Sequence, residues 1–279
     1  MRFTTALLAM LATWAFPAGA ATIYIPVVSA LAKPIPSAAF PDQEVDWVTT
    51  HTLSNLTDRL LTVGYVRALA GPDARISSGC SESRLLVSPD YSWNIGSIAG
   101  FGCVFPPHHP GFVEVDVDEG IVISGSIHLV ALRHCYVDDL AGTPVSLAAA
   151  PLPVYDAPFP AGATAYSLDV LPPISGLGGP PCGDINDPVE RRVNLTVANA
   201  GAEAATVTVR APGVSAEPIV FPVPSGEAVQ LNGVFPGHQY HVLLVTATQP
   251  FLTYASSTTT FSDPGRPPDL AVYPFRLLP

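Results

Sequence analysis

The strongest constraint on this chain is the spacing of proline and glycine between short alternating apolar runs. There are 31 prolines and 22 glycines in 279 residues. No stretch after residue 20 keeps a 3.6-residue apolar period free of both residue types, which interrupt helices. Alternation with period two recurs instead, as in Val113, Val115 and Val117, and this pattern is typical of strands. The sequence therefore predicts an all-β fold.

The first twenty residues have the pattern of a signal peptide. Arg2 supplies a positive start, and the apolar run Leu7 to Phe16 has the length of a signal-peptide core and is too short to span a bilayer. A small-x-small cleavage site at residues 18–20 predicts a mature start at Ala21. No later apolar run reaches membrane-spanning length. We expect an exported protein, secreted, periplasmic or at the cell surface, without membrane insertion.

The charge balance narrows the class of partner. The net charge is −11, and it becomes −12 once Arg2 is removed with the leader. An acidic surface is repelled by phosphate, so nucleic acid is not an expected partner. A protein or glycan outside the cytoplasm is the expected one.

The chain resembles itself at an offset that shrinks from 144 to 130 residues along its length. Shifting it by 144 residues places Ser54–Val63 on Ala198–Val207, and Asn55 then meets Asn199. Val113–Ser126 falls on Leu243–Ser256 at an offset of 130, and near the start Thr22 is aligned with Tyr166. The order of strands and turns is shared across these blocks. We therefore interpret the chain as an internal duplication whose length differences lie in loops.

The duplication predicts two tandem immunoglobulin-like β-sandwich domains after the signal peptide, each with about seven short strands. The expected boundaries are residues 21–150 for the first repeat, 151–164 for a Pro-rich linker and 165–279 for the second repeat. The hinge Asn199–Gly201 is interpreted as a hairpin turn, because asparagine and glycine tolerate positive φ. The predicted core positions are Leu53, Val63, Trp93, Ile95, Val115, Ile123, Val197, Val207, Val229, Leu231, Val245 and Leu252.

The pattern "NLTVANAGAEAATVTV … FPVPSGEAVQL … VLLVTATQPFLTYAS" resembles bacterial secreted immunoglobulin-like domains related to CARDB and other cell-surface β-sandwich modules. The resemblance covers both halves, the second half best. Its motifs are those of turns, and it implies a spacer, an adhesive unit or a binding unit. It carries no catalytic residue onto this chain.

Four cysteines in an exported chain predict two disulfides. They are Cys80, Cys103, Cys135 and Cys182. Three pairings are possible, and Cys80–Cys103 with Cys135–Cys182 is favoured because each pair closes a loop of moderate length.

Candidate metal ligands are few and irregularly spaced. His108 and His109 are adjacent and would point to opposite faces of a strand, so with His134 they fit a surface loop better than a zinc site. Asp116 and Asp118 share a strand face and offer oxygen to Ca²⁺, but a calcium site needs at least about six oxygens. A solvated strand face is the simpler interpretation, and no cofactor is expected.

Catalytic motifs do not emerge from the sequence. No G-x-S-x-G elbow occurs, and "SGSIH", Ser124 to His128, fits the end of an alternating strand. Trp47 is a candidate surface aromatic for sugar binding, with core packing as its other interpretation. The sequence thus predicts a non-enzymatic structural or adhesive protein. The alternative is a carbohydrate-binding or Ca²⁺-dependent accessory module of a secreted enzyme system.

Overall fold

The computed structural model describes residues 21–27, 35–37, 40–71, 84–90, 92–96, 110–132, 145–171, 188–261 and 269–279. These residues form strands and turns, and none of them is helical, which confirms the all-β prediction. Accordingly, no described segment is a helix with the length and apolar character needed to cross a membrane.

The strands fall into two successive groups. The first half contains β1 Ala21–Val27, β2 Ile35–Ser37, β3 Phe40–Asn55, β4 Leu61–Leu69, β5 Arg84–Val87, β6 Ser92–Gly96, β7 Gly111–Val117, β8 Ile121–Leu132 and β9 Val145–Leu152. The second half contains β10 Thr164–Ser167, β11 Pro188–Asn199, β12 Ala205–Arg210, β13 Ile219–Val223, β14 Ala228–Leu231, β15 Leu243–Ala247, β16 Phe251–Phe261, β17 Asp269–Pro274 and β18 Arg276–Leu277.

The two halves have the same strand order. In the first half, sheet 1 has the order β5-β4-β7-β1, and sheet 2 has β3-β8-β9 with β2 and β6 both paired to β3. In the second half, sheet 3 has the order β13-β12-β15-β10-β18, and sheet 4 has β14-β11-β16-β17. Apart from the additions β2 and β18, each described strand of one half has a counterpart in the other.

Strand register follows the offsets found in the sequence. Leu53 lies opposite Trp93 and Ile123, and its counterpart Val197 lies opposite Val229 and Thr253. Because a slip of one residue would reverse the faces of a strand, agreement in register means that corresponding residues occupy corresponding faces.

The alignment near the start was wrong by two residues. The sequence match placed Thr22 on Tyr166. In the sheets, however, Thr22 pairs with Asp116 and its counterpart on β10 is Thr164, which pairs with Thr246. The two segments share few identities, and only the pairing to β7 and β15 fixes their register.

The hairpin interpretation of Asn199–Gly201 was also wrong. β11 pairs with β14 and β16, whereas β12 pairs with β13 and β15, so the hinge carries the chain from one sheet to the other. The backbone of Gly201 does not adopt a positive φ. Glycine is required there for space, since a Cβ would lie 2.5 Å from Gln249 Oε1 and 3.0 Å from Pro250 Cδ.

Core positions agree well with the alternation. Seven predicted residues are at most 1% exposed: Leu53, Val63, Val115, Val197, Val207, Val245 and Leu252. Ile123, Val229 and Leu231 are partly buried and pack against these cores. The side chains of Trp93 and Ile95 lie outside the described residues. In each half the core joins residues of both sheets, in a sandwich-like arrangement.

The segment between β9 and β10 is joined to both halves. Tyr155 and Tyr24 exchange backbone hydrogen bonds of 2.7 and 3.0 Å, and Phe159 and Phe251 exchange bonds of 2.8 and 3.0 Å. Tyr155 and Phe159 are buried, and the Tyr155 hydroxyl donates to the Thr253 carbonyl at 2.7 Å. The connector is therefore held to β1 on one side and to β16 on the other.

A run of aromatic rings fills the space between the halves. Phe112 contacts Tyr155 and Tyr254 with ring centroids 6.1 and 5.7 Å apart, and Phe159 contacts Tyr155 and Phe251 at 5.6 and 5.4 Å. We call these five rings, Phe112, Tyr155, Phe159, Phe251 and Tyr254, the aromatic junction. A direct backbone bond also crosses between the halves, from Ala228 N to the Ala70 carbonyl at 3.0 Å.

Candidate functional site

Several residues singled out from the sequence lie outside the described residues. They are the histidines His108, His109 and His134 and the cysteines Cys80, Cys103, Cys135 and Cys182. The backbone of Trp47 lies in β3 opposite Leu129, and its side chain is outside the described part.

The two aspartates proposed as oxygen ligands bind neighbouring strands. Asp116 Oδ1 accepts a 2.8 Å hydrogen bond from the Thr22 hydroxyl on β1. Asp118 Oδ2 accepts from the backbone N and the hydroxyl of Thr62 at 2.8 and 2.9 Å. Each carboxylate thus links β7, or the residue that follows it, to a neighbouring strand of sheet 1. Within the described ranges, no group of three His, Cys, Asp or Glu side chains is arranged to hold a metal ion.

The second half supports a structural role for Asp118. Its counterpart is Thr248, whose hydroxyl accepts a 2.9 Å hydrogen bond from Thr206 N. Thr206 is the counterpart of Thr62, and in both halves the paired backbone bond returns to the threonine carbonyl at 3.1 Å. A neutral hydroxyl therefore replaces the carboxylate in the same hydrogen bond. The position of Asp118 and Thr248 therefore requires a hydrogen-bond acceptor for the backbone N–H of Thr62 or Thr206, and it does not require a negative charge.

The most elaborate hydrogen bonding involves the two equivalent asparagines. Asn55 Nδ2 donates to the carbonyls of Arg59 and Val87 at 2.8 Å each. Asn199 Nδ2 donates to those of Glu203 and Val223 at 2.7 and 3.0 Å.

The side-chain oxygens are used in the same way. Asn55 Oδ1 accepts from Thr57 N, and Asn199 Oδ1 accepts from Gly201 N, at 2.9 Å each. Asn55 is 1% exposed and Asn199 is fully buried. The aligned asparagines in the sequence were the signal for this arrangement, which fixes the crossing between sheets in both halves. Burial of Asn55 also removes it as an N-glycosylation acceptor, although Asn55-Leu56-Thr57 matches the acceptor triplet Asn-x-Ser/Thr.

A serine and a histidine that the sequence placed on an ordinary strand form a hydrogen-bonded cluster. Ser126 Oγ lies 2.7 Å from His128 Nε2, and Thr50 Oγ1 lies 2.8 Å from Ser126 Oγ and 3.1 Å from His128 Nε2. The three residues share the outward face of sheet 2, because positions two apart on β8 point the same way. We call them the hydroxyl–histidine cluster.

Its surroundings favour binding over nucleophilic catalysis. A serine–histidine pair needs preorganised donors for the oxyanion. Thr50 pairs with Gly96 and Ser126, and Ser126 pairs also with Pro151, so the cluster lies among strands that are hydrogen-bonded on both sides. Their backbone N–H groups are used by the sheet ladders.

His51 is a second histidine whose environment the sequence did not reveal. It is 1% exposed in the first core, and its Nε2 lies 3.4 Å from the Pro26 carbonyl. Its Nδ1 is buried and meets no hydrogen-bond partner among the described residues. Desolvation by burial lowers the pKa of His51 to about 4, against a smaller opposing effect of the bond to Pro26. The ring is therefore neutral at physiological pH and takes no proton from solvent there.

Comparison with known proteins finds a weak structural similarity, described below, and no sequence relative. No family model matches the chain, and no curated protein matches it. Among solved structures, a mutant form of the major pilin from Streptococcus pyogenes is similar over 91% of this chain and 98% of that chain, with 10% sequence identity and a TM-score of 0.19. This likeness assigns neither a fold family nor a function.

Proposed function

We propose that this chain is an exported, non-enzymatic structural or adhesive protein composed of two tandem immunoglobulin-like sandwiches. It acts outside the cytoplasm by surface contact with a protein or glycan. The leader-like residues 1–20 support export, and the shared strand order of the two halves supports tandem modules. The resemblance to secreted β-sandwich modules supports the same class.

The observation that carries this proposal is the aromatic junction. Tyr155 and Phe159 are buried between the halves, and burying one such ring contributes about 1.5–3 kcal/mol. Bending at the connector would expose both rings and break the backbone pairs with Tyr24 and Phe251. The two modules therefore act as one stiff unit, which is what a spacer or an adhesive stalk requires to hold a contact surface away from its attachment point.

A carbohydrate-binding module is the second candidate, and the hydroxyl–histidine cluster favours it. Hydroxyls and a histidine on the outward face of sheet 2 match the donors and acceptors of a glycan. On the other hand, sugar-binding faces commonly use aromatic rings, whereas the exposed large apolar side chains in the described ranges are aliphatic, as at Leu86, Val122 and Val220. The adhesive proposal is therefore the primary one.

The experiment couples residues 21–279 to beads and measures their retention on the producing cells under flow. The test variant is Tyr155→Ser with Phe159→Ser, which loosens the junction. Val154→Ser is the matched control, because Val154 lies in the same connector and is exposed. We expect the double variant to show a broader distribution of dimensions by X-ray scattering and weaker retention, with the far-ultraviolet circular dichroism of both halves kept.

Two results would contradict the proposal. One is retention of the double variant equal to that of Val154→Ser despite a loosened junction. The other is sustained turnover in hydrolase or oxidoreductase assays, since an enzyme is not expected here. Binding to glycans on an array, lost on Thr50→Ala with Ser126→Ala and kept in the junction variant, would favour the carbohydrate-binding candidate.

A further inference from the structure

The second half has an open cavity of about 320 Å³ at one end of sheet 4. Its walls combine polar and apolar side chains, namely Leu171, Arg191, Ser257, Thr259, Phe261, Asp269, Leu270 and Ala271. Arg191, Ser257 and Thr259 lie on the strand face that carries Leu195 and Val197, two residues of the second core. The cavity is therefore the mouth of the second sandwich rather than a depression in its outer surface.

Hydrogen bonds hold the polar wall in place. Arg191 Nε donates to Thr259 Oγ1 at 2.8 Å. Ser257 Oγ lies 2.9 Å from the hydroxyl of Tyr273, which also accepts from Leu171 N at 3.3 Å. Ser257 and Thr259 are 2% and 4% exposed. The polar groups are thus fixed before any ligand arrives, as in preformed binding sites.

The first half has apolar residue types at the matching register positions. Arg191 pairs with Thr259 on β16, and the corresponding pair in the first half is Trp47 with Leu129. Ser257 corresponds to Ile127, which is 4% exposed. Placing polar groups inside a sandwich costs stability unless they are hydrogen-bonded, so an apolar mouth is the simpler way to close a core. The second half has polar residue types at these three neighbouring positions instead, and a cavity is found there.

The size and chemistry of the cavity indicate the ligand. The volume of about 320 Å³ lies at the low end of small-molecule sites and has room for one unit the size of a monosaccharide. Arg191 and Asp269 carry opposite charges, and with Ser257 and Thr259 they offer both donors and acceptors. Leu171 and Phe261 give an apolar wall for C–H groups. We propose that this cavity binds a neutral polyhydroxylated ligand, a monosaccharide or the terminal unit of a glycan.

This inference stands on the cavity alone and goes beyond the proposed adhesive function. It is tested by titrating residues 21–279 with neutral hexoses, with uronic acids and, to separate a free sugar from a terminal unit, with glycans on an array. We expect a neutral hexose or a hexose-terminated glycan to bind. Thr259→Val should weaken that binding about fivefold to tenfold, the usual effect of losing one hydrogen bond.

The decisive variant is Ser257→Ile with Thr259→Leu, which gives these two positions the residue types found at the matching positions of the first half. It should fill the mouth and abolish binding while the thermal unfolding transition is kept. Arg191→Gln should also weaken binding, whereas Arg210→Gln, the same change at an exposed position on sheet 3, should not.

Failure to bind any neutral sugar, unchanged binding in the variant Ser257→Ile with Thr259→Leu, or tighter binding of uronic acids than of hexoses would each overturn the proposal. Loss of retention in the junction variant with sugar binding intact would leave it standing, since none of the five junction rings lines the cavity.

Discussion

Replacing His51 with leucine should remove an acid-sensitive element from the first half. The second half provides the template, because the residue corresponding to His51 is Leu195, which is fully buried. Gly125 makes room for the ring, since a Cβ there would lie 3.3 Å from His51 Cδ2. Its counterpart is Ala255. His51→Leu therefore places a residue of similar volume in a site that the same topology already accommodates.

The pH dependence follows from linkage. Burial lowers the pKa of His51 from 6.5 to about 4, so between those values the unfolded chain binds a proton that the folded chain does not. The stability that depends on a neutral His51 is fully present above pH 6.5 and is lost as the pH falls toward 4. At about 1.4 kcal/mol per pKa unit, the total loss is about 3 kcal/mol, with about 2 kcal/mol lost by pH 5. His51→Leu has no such loss from this site.

The assay is unfolding in urea at several pH values from 7.5 to 4, with tryptophan fluorescence as the signal of unfolding. Beyond residue 20 the only tryptophans are Trp47 and Trp93, both in the first half, so the signal reports the unfolding of that half. The free energy of unfolding of His51→Leu minus that of the wild type should grow by about 2 kcal/mol between pH 7.5 and pH 5. A difference that stays constant across this pH range would refute the reasoning.

Four further predictions concern the turns and the processing of the chain. Asn55→Ala and Asn199→Ala should each lower the free energy of unfolding by about 1–3 kcal/mol in urea titrations, because they leave buried carbonyls without donors; a loss confined to one of them would count against equivalent roles. Gly201→Val should lower the melting temperature because the new side chain collides with Gln249 and Pro250. Gly213→Val is the comparison for backbone strain alone, because a Cβ there meets nothing within 4 Å while φ is +84°. Mass spectrometry of exported protein should find Ala21 as the first residue, and retention of Arg2 would be inconsistent with a cleaved leader. Thiol titration of unfolded, unreduced protein should find no free cysteine, since two disulfides are expected in an exported chain; four free thiols would contradict them.

The sequence by itself determined the all-β fold class and most of the core. Alternation with period two is a local property, so burial of Val63, Val115 and Val207 could be predicted without knowing their neighbours. The offset that aligned Asn55 with Asn199 was equally readable, because the two asparagines make the same hydrogen bonds where each half crosses between its sheets.

Only the tertiary structure decided which sheet each strand joins, and with it the features that bear on function. Nothing local in Asn199–Gly201 distinguishes a hairpin from a crossing between sheets, because the difference lies in partners dozens of residues away. The burial of His51, the approach of Thr50 to Ser126 and the packing of Tyr155 between the halves have the same origin. Each depends on contacts between strands far apart in sequence, and strand pairing is the part of β structure that a local pattern leaves undetermined.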